Sequence, residues 1–266
     1  RQMCIRDSHG TITLAEALRQ SCNIYYIQLG QRVGSQTFYN YFDAFGFTSR
    51  TGVDLPSETG FMQYYKANQL GEVQLASSAF GQAMAITPLQ MCTAVAAAVN
   101  GGYLVTPHVV DKITDANGNV IEEIGANVRR QVISESTSNV IRQIMEYEVG
   151  NGTGGGKYAY VSGYRIGGKS GTSEQLNMDR RADGDYKKVA SFAAVLPADD
   201  PEIIVYVMLD DPNNARTDYS SLLAAPVVGN IISEIAPYLG IAADGEDRSQ
   251  TVVTVPNLVG TEWSSA

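Results

Sequence analysis

Gly167-Gly168-Lys169-Ser170-Gly171-Thr172-Ser173 joins a lysine, two hydroxyls and a residue without a side chain on what reads as an exposed strand edge. The preceding Tyr164-Arg165-Ile166 is strand-like, and glycine within a short strand marks a close approach by a ligand or another backbone. Lys169 offers a positive charge, and Ser170 and Thr172 offer hydroxyl donors. Gly171 lets an extended peptide lie along the edge by β-augmentation. These properties suit a peptide substrate. The same residues also read as a glycine-rich edge strand with a solvated lysine, and a four-residue match does not separate the two.

Working outward, Val189 to Leu196 and Ile203 to Leu209 are apolar strands joined by Pro197-Ala198-Asp199-Asp200-Pro201. So short a link makes them antiparallel neighbours, because a parallel crossover needs a dozen or more residues. Both are apolar on both faces, which predicts a sheet covered on both sides. One cover is a helix from Pro226 to Leu239, with Val227, Val228, Ile231, Ile232 and Ile235 inward. Upstream, Ser134 caps a helix to about Val149 with Val140, Ile141, Ile144 and Met145 inward. Gly150, Gly152 and Gly155 then imitate a dinucleotide fingerprint, but they follow a helix and precede a strand, the reverse of the required order. A flexible connector is expected there, and a polar loop from Leu176 to Lys187.

In the first half, Thr13 and Glu16 have capping-box spacing, opening a short helix. Ser21-Cys22-Asn23 interrupts the pattern before a second apolar helical face, Ile24 to Val33, stops at Gly34. Ser21 and Asn23 therefore sit at a helix junction, where side chains project into a cleft. Further helices are expected from Thr37 to Phe45, capped by Ser35, from Val73 to Ala79, and from Pro88 to Val99. Gly52 to Met62 reads as a loop. Val109 to Thr114 and Val120 to Ile124 flank Asp115-Ala116-Asn117-Gly118-Asn119 as a β-hairpin. Its acidic spacing is not a calcium loop, since Val120 stands where an EF-hand needs glycine.

The 266 residues are 44% hydrophobic and 18% charged, a globular composition. A net charge of −9 and a pI near 4.7 argue against general attraction to nucleic acid or an anionic membrane surface. The most apolar run, Met91 to Val99, is too short to span a bilayer. Cys4, Cys22 and Cys92 indicate neither a disulfide framework nor a zinc site. His9 and His108 read as local structure, so histidine catalysis is not expected. No metal or cofactor is implied. Residues 1–8 fit no pattern and read as a foreign or assembly-derived scar.

Ser21-x-Asn23 and Lys169-Ser170-Gly171-Thr172 together resemble the second and third motifs of penicillin-binding proteins and serine β-lactamases. The similarity extends to Ala79-Phe80-Gly81-Gln82 with Thr87-Pro88-Leu89-Gln90, to Gly163-Tyr164-Arg165-Ile166, to Ser191-Phe192-Ala193 and to Leu196-Pro197-Ala198. In that combination the chain resembles the class B penicillin-binding transpeptidases over about Gly10 to Leu239. The implied fold class is α/β (α+β), a β-lactamase-like antiparallel sheet covered by helices on both faces with its first strands missing. The implied organisation is transpeptidase domain over 9–240, linker over 241–250 and, over 251–266, the start of a unit similar to a PASTA module. The last rests on Val255-Pro256-Asn257-Leu258-Val259-Gly260.

The resemblance implies a membrane-anchored, extracytoplasmic D,D-transpeptidase. Its partners would be peptidoglycan stem peptides ending in D-Ala-D-Ala, β-lactam antibiotics, and other cell-wall synthesis or division proteins. Ser21 would relay a proton to the leaving amine, and Asn23 would orient the donor peptide. Ser170 and Thr172 would hold the terminal carboxylate in the field of Lys169, and the Thr172 N–H would supply half an oxyanion hole. Glu174, two residues on, would oppose the attraction of Lys169 for anions. One departure matters: no Ser-x-x-Lys nucleophile motif precedes Ser21, and Ser8-His9-Gly10-Thr11 lacks the lysine. The expectation is therefore a fragment inactive alone. The alternative is a non-catalytic wall-binding or β-lactam-sensing module.

Overall fold

The computed structural model describes residues 11–246, except 61, 151, 153, 176–179, 182–183 and 213–218, together with 263–264. In chain order, β1 (Thr11–Ile12) leads into helices α1 (Leu14–Gln20), α2 (Asn23–Val33), α3 (Ser35–Ala44), α4 (Glu72–Ala79) and α5 (Pro88–Val99). Four short strands follow: β2 (Tyr103–Thr106), β3 (Lys112–Thr114), β4 (Val120–Glu123) and β5 (Asn127–Gln131). The second half is α6 (Glu135–Gly150), a 3-10 turn (Gly155–Ala159), β6 (Gly167–Glu174), β7 (Lys188–Leu196), β8 (Ile203–Asp210), α7 (Ser220–Tyr238) and β9 (Trp263–Ser264).

The central sheet has the order β6-β7-β8, antiparallel throughout, with β6 at an edge. Alternation along β7 sends Phe192, Ala194 and Leu196 to one face, where they pack with Ala224, Ala225, Val228 and Ile232 of α7. The opposite face carries Val195, which packs with Val99 of α5 and Met145 of α6. Two helical layers thus enclose β7. Cover thins along β8, where Met208 is 40% exposed, so the expectation of a strand buried on both faces holds for β7 and only in part for β8.

The paired glycines before Lys169 bring α6 close to the sheet. A Cβ on Gly168 would lie 2.6 Å from the Phe192 ring and 3.1 Å from Val149, and one on Gly167 would lie 3.1 Å from Met145. Arg165, immediately upstream, clamps the same helix by donating from Nε and Nη2 to the two Glu146 carboxylate oxygens, each at 2.7 Å. Its Nη1 also donates to Asp199 in the β7–β8 turn. Tyr164 to Ile166 therefore precede the strand and brace it.

Local capping fixes the helix starts as the spacing predicts. The Thr13 N–H donates to Glu16 at 2.9 Å, and the Glu16 N–H donates to Thr13 Oγ1 at 3.2 Å. Thr87 and Gln90 make the same reciprocal pair at α5, with Pro88 in the first turn. Removing one such cap by Thr13→Ala should lower stability by about 1 kcal/mol, read as a reduced urea midpoint.

Several expectations need correction. Helix α7 starts at Ser220, not Pro226; the apolar residues from Leu222 continue the helical face upstream, so the proline lies inside the helix. Val227 is 39% exposed and points away from the core. Ser35 does not cap α3, because its hydroxyl donates to the Leu70 carbonyl and Gly34 occupies the cap position. The β3–β4 hairpin forms as read, with Asp115 accepting from the Asn117 and Asn119 N–H groups. The pairing of β2 with β5 was not anticipated. The glycines after α6 serve close packing: a Cβ on Gly154 would stand 2.2 Å from the Glu148 carbonyl oxygen. At the far end, Ile241 is buried in the main core and the Asp244 N–H donates to Gly163 O at 2.9 Å, while Ala242 to Glu246 are exposed. The expectations for residues 1–8, Cys4, His9 and Val252 to Val259 fall outside the described residues.

Candidate active site

Helix α1 ends at Ser21, whose backbone is left-handed (φ 51°, ψ 46°). Its N–H bonds Leu18 O at 3.2 Å, and the Cys22 N–H bonds Ala17 O at 3.0 Å, a Schellman-type closure. This conformation costs a non-glycine residue about 1 kcal/mol or more. Cys22, only 1% exposed, anchors the turn in the core, and Ser21 is left projecting outward. Asn23 opens α2 directly beyond, half-buried in its first turn.

Strand β6 supplies the opposite wall. Lys169 Nζ donates to Ser21 Oγ, so segments separated by 148 positions meet at one ammonium. The same Nζ donates to Ser170 O at 3.0 Å and lies 3.4 Å from Ser170 Oγ. Thr172 Oγ1 donates to Ser220 Oγ at 3.0 Å and accepts from the Ser220 N–H at 3.3 Å. The first turn of the 19-residue α7 therefore abuts the Thr172 hydroxyl, and the positive end of a helix dipole favours an anion there. Gln82 Nε2 donates to Thr172 O at 3.4 Å, bringing the segment after α4 to the same strand. Gly171 is exposed on the sheet edge, opposite Ser191 in register.

Burial governs the charges. Desolvation pulls Lys169 below the ordinary lysine range, while the carboxylate of Glu148 opposes that shift. Glu148 itself is pushed up to about 7 by burial, against the attraction of Lys169 and Arg19. Among the described residues, no cluster of three His, Cys, Asp or Glu could hold a metal ion. The arrangement can bind a carboxylate through the Ser170 and Thr172 hydroxyls beside the Lys169 charge, and can pass a proton between Ser21 and Lys169.

The penicillin binding protein transpeptidase domain model matches residues 3–233. The chain belongs to that family. Over 264 residues it is 36% identical to the stage V sporulation protein D of Bacillus subtilis, covering 96% of this chain and 40% of that protein. It is 33% identical to a probable peptidoglycan D,D-transpeptidase FtsI of Caulobacter vibrioides, over 95% of this chain and 42% of that one. Among solved structures, penicillin binding protein 3 of Mycobacterium tuberculosis complexed with ampicillin superposes with a TM-score of 0.76 at 26% identity, covering 92% of this chain and 54% of the other. The transpeptidase domain described here thus spans about two fifths of the length of these curated relatives.

Ser21 and Ser170 meet at the Lys169 ammonium, Thr172 lies two residues beyond Ser170 on β6 against Ser220, and Asn23 opens α2 two positions after Ser21. Glu174 does not join them: it is exposed at the end of β6, in register with Lys188 and five residues from Lys169. That is about 16 Å along a strand, beyond the ~10 Å screening length at 0.1 M salt. Two residues of the site were missed. Ser220 lies six residues before Pro226, where the sequence predicts the helix to start. Glu148 lies four residues after Ile144 and three after Met145, on the stripe that faces inward. Its position predicted burial, and only its charge argued for the surface.

Proposed function

We propose that this domain forms the substrate-holding and proton-relay wall of a peptidoglycan D,D-transpeptidase working at the extracytoplasmic face of the bacterial membrane. The observation that carries the reading is the Lys169 to Ser21 hydrogen bond, which places two polar motifs on one ammonium. A stem peptide ending in D-Ala-D-Ala would add to the free edge of β6, its terminal carboxylate against Ser170, Thr172 and Lys169. A β-lactam presents a carboxylate and an acyl carbonyl in the same relation and would enter the same place. Thr172 N–H is the oxyanion donor contributed here. Ser21 and Lys169 return the proton to the leaving amine, and the Asn23 amide orients the donor peptide.

No serine in the 266 residues has a lysine three positions on. On this reading none of these serines is the attacking group, which fits a chain that spans about two fifths of its curated relatives, and residues 251–266 are read as PASTA-like. Labelling with a fluorescent penicillin in a denaturing gel tests the assignment. The 266-residue chain should stay dark, and the full-length gene product should carry the label on a Ser-x-x-Lys serine. A labelled 266-residue chain, or an unlabelled full-length protein, overturns it; the second result favours a wall-binding or β-lactam-sensing module. In the labelled protein, Glu174→Gln should speed acylation by no more than about twofold, since exposed charge pairs contribute only ~0.2–1 kcal/mol even when close.

A further inference from the structure

We propose that Glu148 is a positioning residue of this site, the buried counter-ion that keeps Lys169 cationic as the pH rises. The proposal rests on the transpeptidase reading for what the charge does and stands on separate geometry. The Glu148 side chain is 1% exposed, and among the described residues neither carboxylate oxygen closes a hydrogen bond of normal geometry. A buried carboxylate without such bonds is costly and persists where a nearby charge or a function compensates.

The surroundings place that carboxylate behind the reactive wall. A Cβ on Gly155 would lie 3.4 Å from Glu148 Oε1 and 3.6 Å from Ser170 Oγ, so the two oxygens flank one point. Gly154 and Gly156 close over the same residue: added Cβ atoms would fall 2.2 Å from its carbonyl oxygen and 3.0 Å from its Cγ. A side chain is excluded at Gly154 and tight at Gly156, so the lid packs closely over Glu148. The charged or titratable groups facing the carboxylate are Lys169 from β6, Arg19 from α1 and Tyr26 from α2, with the Gly156 N–H turned toward it from the 3-10 turn. Arg19 also lies 5.3 Å over the Tyr147 ring.

Burial disfavours the charged form of both Lys169 and Glu148, and each charge supports the other. Without the carboxylate, Lys169 loses the charge that opposes its desolvation and gives up its proton at lower pH. The hydrogen-bond donor to Ser21 and the field on the substrate carboxylate go with it. The Glu148 charge holds the lysine up against its desolvation.

The test is the pH profile of penicillin acylation of the full-length protein, unsubstituted and with Glu148→Gln. At pH 6 the native carboxyl is largely protonated, and the two rates should coincide. Above pH 7 they should part, with the basic limb about 1 pH unit lower in E148Q and the rate at pH 9 reduced up to about tenfold. Glu148→Asp should restore much of the native limb. Rates that differ by the same factor at every pH, or do not differ, overturn the proposal. A second readout needs no activity: the pH at which Lys169 reacts with an amine-acylating reagent, followed by peptide mass spectrometry. It should fall by about 1 unit in E148Q, and an unchanged value overturns the proposal even in a protein that acylates normally. If the unsubstituted protein is not acylated at all, the transpeptidase reading fails while this readout still decides the role of Glu148.

Discussion

At pH 8 the Glu148→Gln protein should be more stable than the unsubstituted one by about 3 kcal/mol, and at pH 4 the two should be equal. The sign follows from linkage. In the folded domain the Glu148 carboxyl titrates near 7, raised from 4.5 chiefly by burial. Below 4.5 it is protonated in both folded and unfolded chains and costs nothing. Between 4.5 and 7 the unfolded chain releases a proton that the folded one retains, so native stability falls as pH rises and levels off above about 7. Each unit of separation is 1.36 kcal/mol, hence the figure of about 3. Glutamine has nearly the shape of the protonated acid and no charge to lose, so its curve lacks this slope. Urea midpoints of the domain's unfolding transition from pH 4 to 8 check the result; parallel curves for the two proteins contradict it. A variant that gains stability while Lys169 loses its charge at high pH is the trade-off expected where a destabilising group is kept for function.

Ser21→Ala in the full-length protein should slow penicillin acylation by about 10²- to 10⁴-fold, the range for losing a positioned proton carrier. On the proposed reading Ser21 is not the attacking group, so this loss reports the relay together with its hydrogen bond to Lys169. Lys169→Ala should cost about 10²- to 10³-fold, as for removal of a preorganised donor at a developing charge. Its ammonium donates to both Ser21 and the Ser170 carbonyl. The truncation therefore unties the two walls as well as removing the charge. Ser21→Gly is the control for backbone effects, because glycine accepts the left-handed φ of 51° without strain. It should be as slow as Ser21→Ala, with a thermal midpoint no lower than that of Ser21→Ala.

Most of the sheet and the helix junction were legible in the sequence because their signals are local. The apolar runs and short link of β7 and β8, the Thr13–Glu16 and Thr87–Gln90 caps, and the turn at Ser21-Cys22-Asn23 all depend on residues within a few positions. The pairing of β2 with β5 spans the intervening hairpin, and β5, Asn-Val-Arg-Arg-Gln, has no apolar alternation to announce it. Its strand character comes from pairing, with Arg130 donating to the Ala44 carbonyl at 2.7 Å. Pro226 misled because proline favours first turns, yet α7 carries it within a helix whose buried face continues through Ala224 and Ala225. In the site, Lys169 and Ser21 were recognisable as motif residues. Glu148 was not, since an acid at an inward position is told from a surface acid only by what covers it. Here the cover is three glycines, whose meaning as close packing appears only once the 3-10 turn is folded over α6.

The most direct measurement is a double-mutant cycle on penicillin acylation of the full-length protein, with Ser21→Ala, Lys169→Ala and both together. If one hydrogen-bonded pair does the work, the double variant should be about as slow as the slower of the two single variants, because the second removal finds the interaction already gone. Losses that multiply, so that the double variant is slower than either by the full product, would show two independent residues and contradict a single site built from both motifs.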